Sequence, residues 1–137
     1  MKSFISRRSI CGGMVCLALG VSSLIHGVRA EEKPAATVQV TIDYGDGVQK
    51  VFKKIEWKAG LTAFDALTAA EKHPRGIKVM HQGKGETTLV TAIDDRKNEG
   101  RGNNWTYEVG GKLGDRSAAV FELQAGDIVL WKFGPYQ

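Results

Sequence analysis

Few side chains in this 137-residue chain have the type and spacing that a reaction needs. His73 follows a predicted helix and His81 has no second histidine or cysteine near it, so both are expected to have structural roles, because zinc sites need clustered ligands. Ser117 has no histidine near it in sequence, which gives no support for a serine nucleophile. Asp94 and Glu99 are a carboxylate pair that could act as acid and base on a glycoside. We expect no catalytic residue, and an envelope hydrolase stays open as the second alternative.

The acidic stretch from Asp94 to Gly100 superficially suggests a calcium loop. Calcium loops carry an oxygen ligand at every second position, and Arg96 occupies one of these positions. Lys97 and Arg101 add positive charge that opposes a divalent cation. The stretch is therefore expected to be a solvated connection, with no metal bound.

Aromatic residues are the remaining candidates for a binding site. Trp57 and Trp131 are expected to fill the core, because a tryptophan must bury a large apolar area. Trp105 begins a predicted strand after a loop, where an aromatic ring can be half exposed and contact a ligand.

The pattern of apolar residues predicts a hairpin, one helix and further strands. Alternation from Thr37 to Tyr44 predicts the first strand, and Gly45-Asp46-Gly47 is typical of a hairpin turn. The return strand, about Val48 to Trp57, is expected to turn Val51, Ile55 and Trp57 inward. Phe52 departs from that alternation, which indicates an edge strand or a β-bulge.

A helix is predicted to begin after Thr62, which is a good N-cap with Asp65 in the capping-box position. Its apolar stripe is expected to comprise Leu61, Phe64, Leu67 and Ala70, and it ends before Pro74.

Strands are then expected at 77–81, 87–93, 105–109 and 128–133, with a polar loop at 94–104. The apolar character of both faces of 128–133 indicates a strand covered on both sides, beside the first strand in the middle of the sheet. This order predicts an α+β fold: a single β-grasp (ubiquitin-like) domain with a mixed sheet and one packed helix, preceded by a signal peptide.

The first thirty residues have the layout of a secretory signal. A basic head with Arg7 and Arg8 precedes a short apolar stretch, and small residues lead to a cleavage site after Ala30. The paired arginines are compatible with twin-arginine or ordinary export. Residues 31–36 are expected to be a disordered tether, and the domain spans 37–137. The protein is therefore expected in the periplasm or outside the cell, with no stable membrane insertion once the signal is removed.

Removal of the signal changes the charge of the chain. The whole sequence has 19 Lys+Arg and 15 Asp+Glu, and four of the basic residues precede Glu31, so the remainder is neutral. Neutrality gives no support for nucleic-acid binding. Both cysteines, Cys11 and Cys16, also lie in the signal, so we expect no disulfide in the mature domain.

Three stretches carry a resemblance to a known family. Gly60 to Leu67, Asn104 to Gly111 and Leu123 to Trp131 are similar to the signature of the transcobalamin C-terminal-like family, a domain of unknown function related to the β-domain of vitamin B12 carriers. The resemblance covers about Val38 to Phe133.

In the carriers, the strand that begins with tryptophan and the loop after it face the corrinoid. The resemblance implies these ligand-binding positions here: Trp105, Tyr107, Gly110, Gly111, Lys112 and Ser117. The carriers hold the vitamin between this domain and a helical domain, so a lone β-domain is expected to bind weakly unless a partner supplies the other surface.

We therefore expect an exported, non-enzymatic binding module that requires no cofactor. Its ligand is a small molecule or envelope component, either cobalamin or another corrinoid, or an envelope glycan. The alternative is a protein-protein interaction domain that uses an exposed sheet edge to bind a partner protein.

Overall fold

The computed structural model describes residues 36–136. The predicted signal peptide 1–30, its cleavage site at Ala30 and all of the tether 31–36 except Ala36 lie outside the described residues. Among the described residues, no helix has the length and apolar character needed to cross a membrane.

Eight strands and one α-helix follow one another along the described residues. Their bounds are β1 Thr37–Asp43, β2 Gln49–Glu56, α1 Ala63–Glu71, β3 Val79–Gln82, β4 Leu89–Ile93, β5 Arg96–Lys97, β6 Asn103–Val109, β7 Lys112–Leu113 and β8 Ile128–Pro135, with one 3-10 turn at Gly85–Thr87 between β3 and β4.

These strands form two sheets. The main sheet has the order β2-β1-β8-β6-β7, and β3-β4-β5 form a second sheet. β8 pairs in parallel with β1 and antiparallel with β6, so the last strand lies beside the first strand, as predicted.

The predicted fold class, an α+β β-grasp domain with a single mixed sheet, is wrong. The described part of the chain is mostly β, with two sheets and one α-helix. The stretch predicted as a loop at 94–104 turns sharply at Asp94 and Asp95, so that β5 pairs with β4. β4 also pairs with β3, so the backbone N–H and C=O groups of β4 form hydrogen bonds within the second sheet and not with the main sheet.

α1 forms as the capping signals predict. The Thr62 hydroxyl accepts a hydrogen bond from Asp65 N–H at 3.1 Å, and the Asp65 carboxylate accepts one from Thr62 N–H at 3.1 Å. The buried face is formed by Ala63, Ala66, Leu67 and Ala70. Leu61 and Phe64, predicted in this stripe, are only partly buried, and Leu61 lies before the N-cap, outside α1.

The departure of Phe52 from alternation has a structural cause. Val38 pairs with Ile55 and Val40 with Phe52, so one residue of β1 lies opposite two residues of β2. This β-bulge turns both Phe52 and Ile55 into the core and leaves Val51 exposed. The prediction of an edge strand or a β-bulge is confirmed, since β2 is an edge strand and carries the bulge, and the predicted burial of Val51 is wrong.

β8 is central in the sheet but is covered on one face only. Val129, Trp131 and Phe133 are buried on the face that carries the core, whereas Ile128 is 51% exposed. The prediction that both faces are covered is therefore wrong, although Leu130, on the same face as Ile128, is half-buried.

Candidate functional site

A small cavity lies where the inner faces of β6 and β8 meet β4 and the loop that follows β7. Its volume is about 160 Å³. Trp105, Tyr107 and Trp131 contribute from the main sheet, and the other lining residues are Thr88, Leu89, Val90, Thr106, Leu113, Gly114, Arg116, Ser117, Ala118 and Tyr136. Pockets for drug-sized molecules occupy about 300–1,000 Å³, so this cavity suits one chemical group of a larger ligand.

Tyr107 and Trp131 lie opposite each other on paired strands. They are register partners of β6 and β8, and their ring centroids are 5.3 Å apart with an interplanar angle of 34°. Alternation along each strand places both rings on the inner face, where cross-strand aromatic pairs stabilise a sheet.

The indole nitrogen of Trp131 has no hydrogen-bond partner among the described residues, although the atom is buried. The corresponding groups of the other two tryptophans are satisfied. Trp57 Nε1 donates to the Leu123 carbonyl oxygen at 2.8 Å, and Trp105 Nε1 donates to the Arg96 carbonyl oxygen at 2.9 Å. A buried donor without an acceptor costs about 1–3 kcal/mol, so this arrangement requires an explanation.

The hydroxyl of Tyr107 is engaged within the protein. It donates to the Arg116 carbonyl oxygen, and its ring contacts Phe121 edge to face at 5.9 Å. Burial, followed by the nearby negative charge of Asp115, raises the pKa of the Tyr107 hydroxyl above its ordinary value. The Tyr107 ring therefore lines the cavity, and its hydroxyl stays protonated.

Gly114 keeps Tyr107 in place. A Cβ atom added at Gly114 would collide with the Tyr107 ring, and Gly114 N–H donates to the Tyr107 carbonyl oxygen at 2.9 Å. The absence of a side chain at this position lets the loop lie against the aromatic wall.

The sequence suggested that Trp105 is half exposed, but the structure shows that it is buried. Only 5% of its surface is exposed, and its ring packs against Phe133 at 5.2 Å and edge to face against Tyr44 at 5.8 Å. Its backbone N–H also donates to Asn98 at 2.8 Å. Trp105 is a core residue that also lines part of the cavity.

The other predicted positions divide between the cavity and a turn. Ser117 lines the cavity, but its hydroxyl lies 3.0 Å from the Gly85 carbonyl oxygen and 2.9 Å from that of Thr88, so it ties the loop to the start of β4. Gly110 and Gly111 form the turn between β6 and β7 with positive φ angles of 58° and 82°. Lys112 follows them on exposed β7, and these three residues do not line the cavity.

The structure thus brings Trp105, Tyr107 and Ser117 together and leaves Gly110, Gly111 and Lys112 apart. Sequence reasoning missed Trp131, Leu89, Arg116 and Tyr136 as site residues. The alternation of β6 and β8 contains the signal for Trp131, since it places Tyr107 and Trp131 on one face once the strands are paired.

Asp94, Glu99, His73 and His81 lie away from the cavity, and each contacts other residues of the protein. The Asp94 carboxylate accepts hydrogen bonds from Tyr44, Lys50 and Lys78 N–H, while the Glu99 carboxylate accepts one from Asn103 N–H. Phe52 contacts the His73 ring, and Phe64 contacts that of His81. Within residues 36–136 no three His, Cys, Asp or Glu side chains are grouped so that they could hold a metal ion.

Comparison with known proteins supports the fold and leaves the ligand open. No curated protein sequence matches the chain. Among solved structures, the chain is similar to a candidate metal binding protein from Ruminococcus gnavus ATCC 29149, with a TM-score of 0.56 and 17% identity over 74% of this chain and 99% of that chain. At that identity the likeness concerns the fold alone.

A family model matches residues 60–135, which include α1, the second sheet, β8 and every residue that lines the cavity except Tyr136. This match covers more than half of the sequence, and the chain belongs to the family described as "Domain of unknown function (DUF4430)".

Proposed function

We propose that this chain is an exported, non-enzymatic module that binds a small molecule or envelope component by inserting a carboxamide group into the cavity beside Trp131. The observation that carries the proposal is the buried indole N–H of Trp131, which has no acceptor among the described residues. A carbonyl oxygen of a ligand would supply that acceptor after neighbouring side chains move enough to uncover the N–H, which has almost no exposed surface in this structure.

The cavity favours an acetamide-sized group over a whole ring system. Its volume of about 160 Å³ is roughly half that of the smallest typical pocket for a drug-sized ligand. Trp105, Tyr107 and Trp131 make part of its wall aromatic, which suits the apolar carbon of such a group.

Two ligand classes share this chemistry. Corrinoids carry carboxamide side chains around their ring, and N-acetylated sugars of an envelope glycan carry an acetamido group. The resemblance to the β-domain of vitamin B12 carriers supports the corrinoid. Tyr136, at the cavity mouth and 75% exposed, supports the glycan, because an exposed aromatic ring offers a sugar a flat apolar surface.

Metal binding is not the function proposed. The similar structure from Ruminococcus gnavus is called a candidate metal binding protein. The described residues of this chain have no group of three metal-ligating side chains.

Calorimetric titration tests the proposal and separates the two ligand sources. The purified protein is titrated with cobinamide, with cobalamin and with tri-N-acetylglucosamine, and the expected result is saturable binding of at least one of them. Trp131→Phe keeps an aromatic ring but removes the N–H, and we expect it to weaken that binding about tenfold. Trp57→Phe is the matched control, because Trp57 does not line the cavity.

The outcomes are distinct. Binding of the corrinoids alone identifies one source, and binding of the sugar alone identifies the other. Equal affinity of wild type and Trp131→Phe would reject the carboxamide site, and absence of binding by all three compounds would reject the proposed function.

A further inference from the structure

A second and larger groove lies between β2 and the C-terminal half of α1. Its volume is about 790 Å³. The floor is apolar and is formed by Phe52, Ile55, Leu61, Ala69 and Ala70. It shares no lining residue with the cavity beside Trp131.

Positive charge surrounds this floor. Lys53, Lys54, Lys58 and Lys72 all line the groove and are exposed, and none of them makes an ion pair with another described residue. Glu56 is the one acidic residue in the lining. The groove therefore has a net positive charge, although the sequence from Glu31 onward is neutral.

The groove runs along an edge of the main sheet that no other strand of the described residues covers. β2 is the outermost strand of the main sheet and pairs with β1 on one side. Alternate N–H and C=O groups on its other side are available to an added strand, which is how many domains bind extended peptides.

Lysines and bulges also occur on edge strands to prevent aggregation, and the bulge at Lys53 and Lys54 has that form. Edge protection does not account for the remaining features. Lys58 lies beyond β2 and Lys72 lies at the end of α1, so cations converge on the groove from outside the strand. The apolar floor between them offers contact area that edge protection does not need.

We propose that this groove binds an extended acidic segment of a partner protein, which pairs with the free edge of β2. Acidic side chains of the segment lie among the four lysines, and its apolar side chains reach the floor formed by Phe52 and Ile55. A peptide fits better than an anionic glycan or nucleic acid, because a peptide can form a β-ladder with the strand edge.

The test uses fluorescence anisotropy of a labelled peptide of about eight residues that alternates valine and glutamate. We expect saturable binding that weakens with added salt. Lys53→Glu combined with Lys54→Glu is expected to reduce affinity about tenfold or more, and Glu56→Gln is expected to raise it. Lys97→Glu is the matched control, because Lys97 lies on β5 at the edge of the second sheet.

A second probe separates strand pairing from simple charge attraction. The same valine-glutamate peptide with a methyl group on every backbone nitrogen has the same charge but no backbone donor, so it is expected to bind at least about tenfold more weakly. The proposal would be overturned if the valine-glutamate peptide did not bind, or if both peptides bound equally. It would also be overturned if heparin, an anionic glycan, bound more tightly than the peptide, or if Lys97→Glu lost as much affinity as the double variant.

Discussion

Tyr107 and Trp131 face each other across β6 and β8 at 5.3 Å between ring centroids, and only the tyrosine has a protein partner for its polar group among the described residues. The tyrosine hydroxyl fastens the loop at Arg116, while the tryptophan N–H is buried without an acceptor. One member of the pair therefore supports the cavity wall, and the other is the donor that we propose for a ligand.

Trp131→Phe is expected to cost less stability than Trp105→Phe. The two tryptophans are buried to a similar extent, at 3% and 5% exposure, so both variants lose a similar apolar area. Trp105→Phe also leaves the Arg96 carbonyl oxygen without its donor, which adds about 1–2 kcal/mol to the loss. Urea unfolding of both variants measures the difference, and an equal or larger loss in Trp131→Phe would show that its N–H is already satisfied.

Gly114→Ala is expected to destabilise the protein by about 1–3 kcal/mol and to disturb the cavity. The new Cβ would collide with the Tyr107 ring, so the ring or the loop must move. Gly134→Ala is the matched control, because a Cβ added there meets nothing within 4 Å. Thermal unfolding compares the two variants. Similar melting temperatures would mean that the loop does not rest on Tyr107.

Asp94 is expected to contribute a stability that depends on pH. Although burial acts to raise its pKa, hydrogen bonds from Tyr44, Lys78 N–H and Lys50, together with the Lys50 charge, hold the pKa of the Asp94 carboxyl below its ordinary value. A carboxyl whose pKa is lower in the folded state stabilises the fold above about pH 4 and loses that contribution as the pH falls further.

Asp94→Asn removes this titration and keeps a residue that tolerates the positive φ of 53° at this position. Wild type is expected to be more stable than Asp94→Asn at pH 7 by about 1–3 kcal/mol, and the difference should shrink as the pH falls below about 4. Unfolding free energies measured across that range provide the comparison. A difference that stays constant on acidification would contradict the assignment.

Tyr44 gives the corresponding effect at alkaline pH. Burial, followed by the hydrogen bond and negative charge of Asp94, raises the pKa of the Tyr44 hydroxyl above its ordinary value. A group whose pKa is raised in the folded state stabilises the fold below its unfolded pKa and loses that contribution as the pH rises above about 10. Tyr44→Phe should therefore lose less stability than wild type between about pH 10 and 12, and equal losses would refute this role.

Local chemistry made the helix and the first hairpin predictable. Thr62 and Asp65 carry the capping box within four consecutive residues, and Gly45 and Gly47 adopt the positive φ angles that the turn requires. The position of β8 beside β1 was also predictable, because a long apolar strand favours the middle of a sheet.

The second sheet was not predictable from periodicity. It depends on a turn at Asp94 and Asp95 inside a polar stretch and on a β5 of only two residues, Arg96 and Lys97, which is too short to show alternation. The bulge opposite Gln39 was indicated only by Phe52, because a register shift depends on the partner strand.

The candidate site was predictable only in part, because it too depends on how separate strands and loops pack together. The family resemblance indicated Trp105, Tyr107 and Ser117, which line the cavity, but Trp105 and Ser117 use their polar groups within the protein. The property that distinguishes Trp131 is the absence of an acceptor near its N–H, and such an absence depends on all surrounding elements.

The most direct measurement is the indole N–H resonance of Trp131 in a ¹H–¹⁵N NMR spectrum during titration with cobinamide and, separately, with tri-N-acetylglucosamine. We expect one of these ligands to shift the Trp131 resonance downfield as its carbonyl oxygen accepts the hydrogen bond, while the Trp57 resonance stays in place. A Trp131 resonance that does not move with either compound at saturating concentration would contradict it.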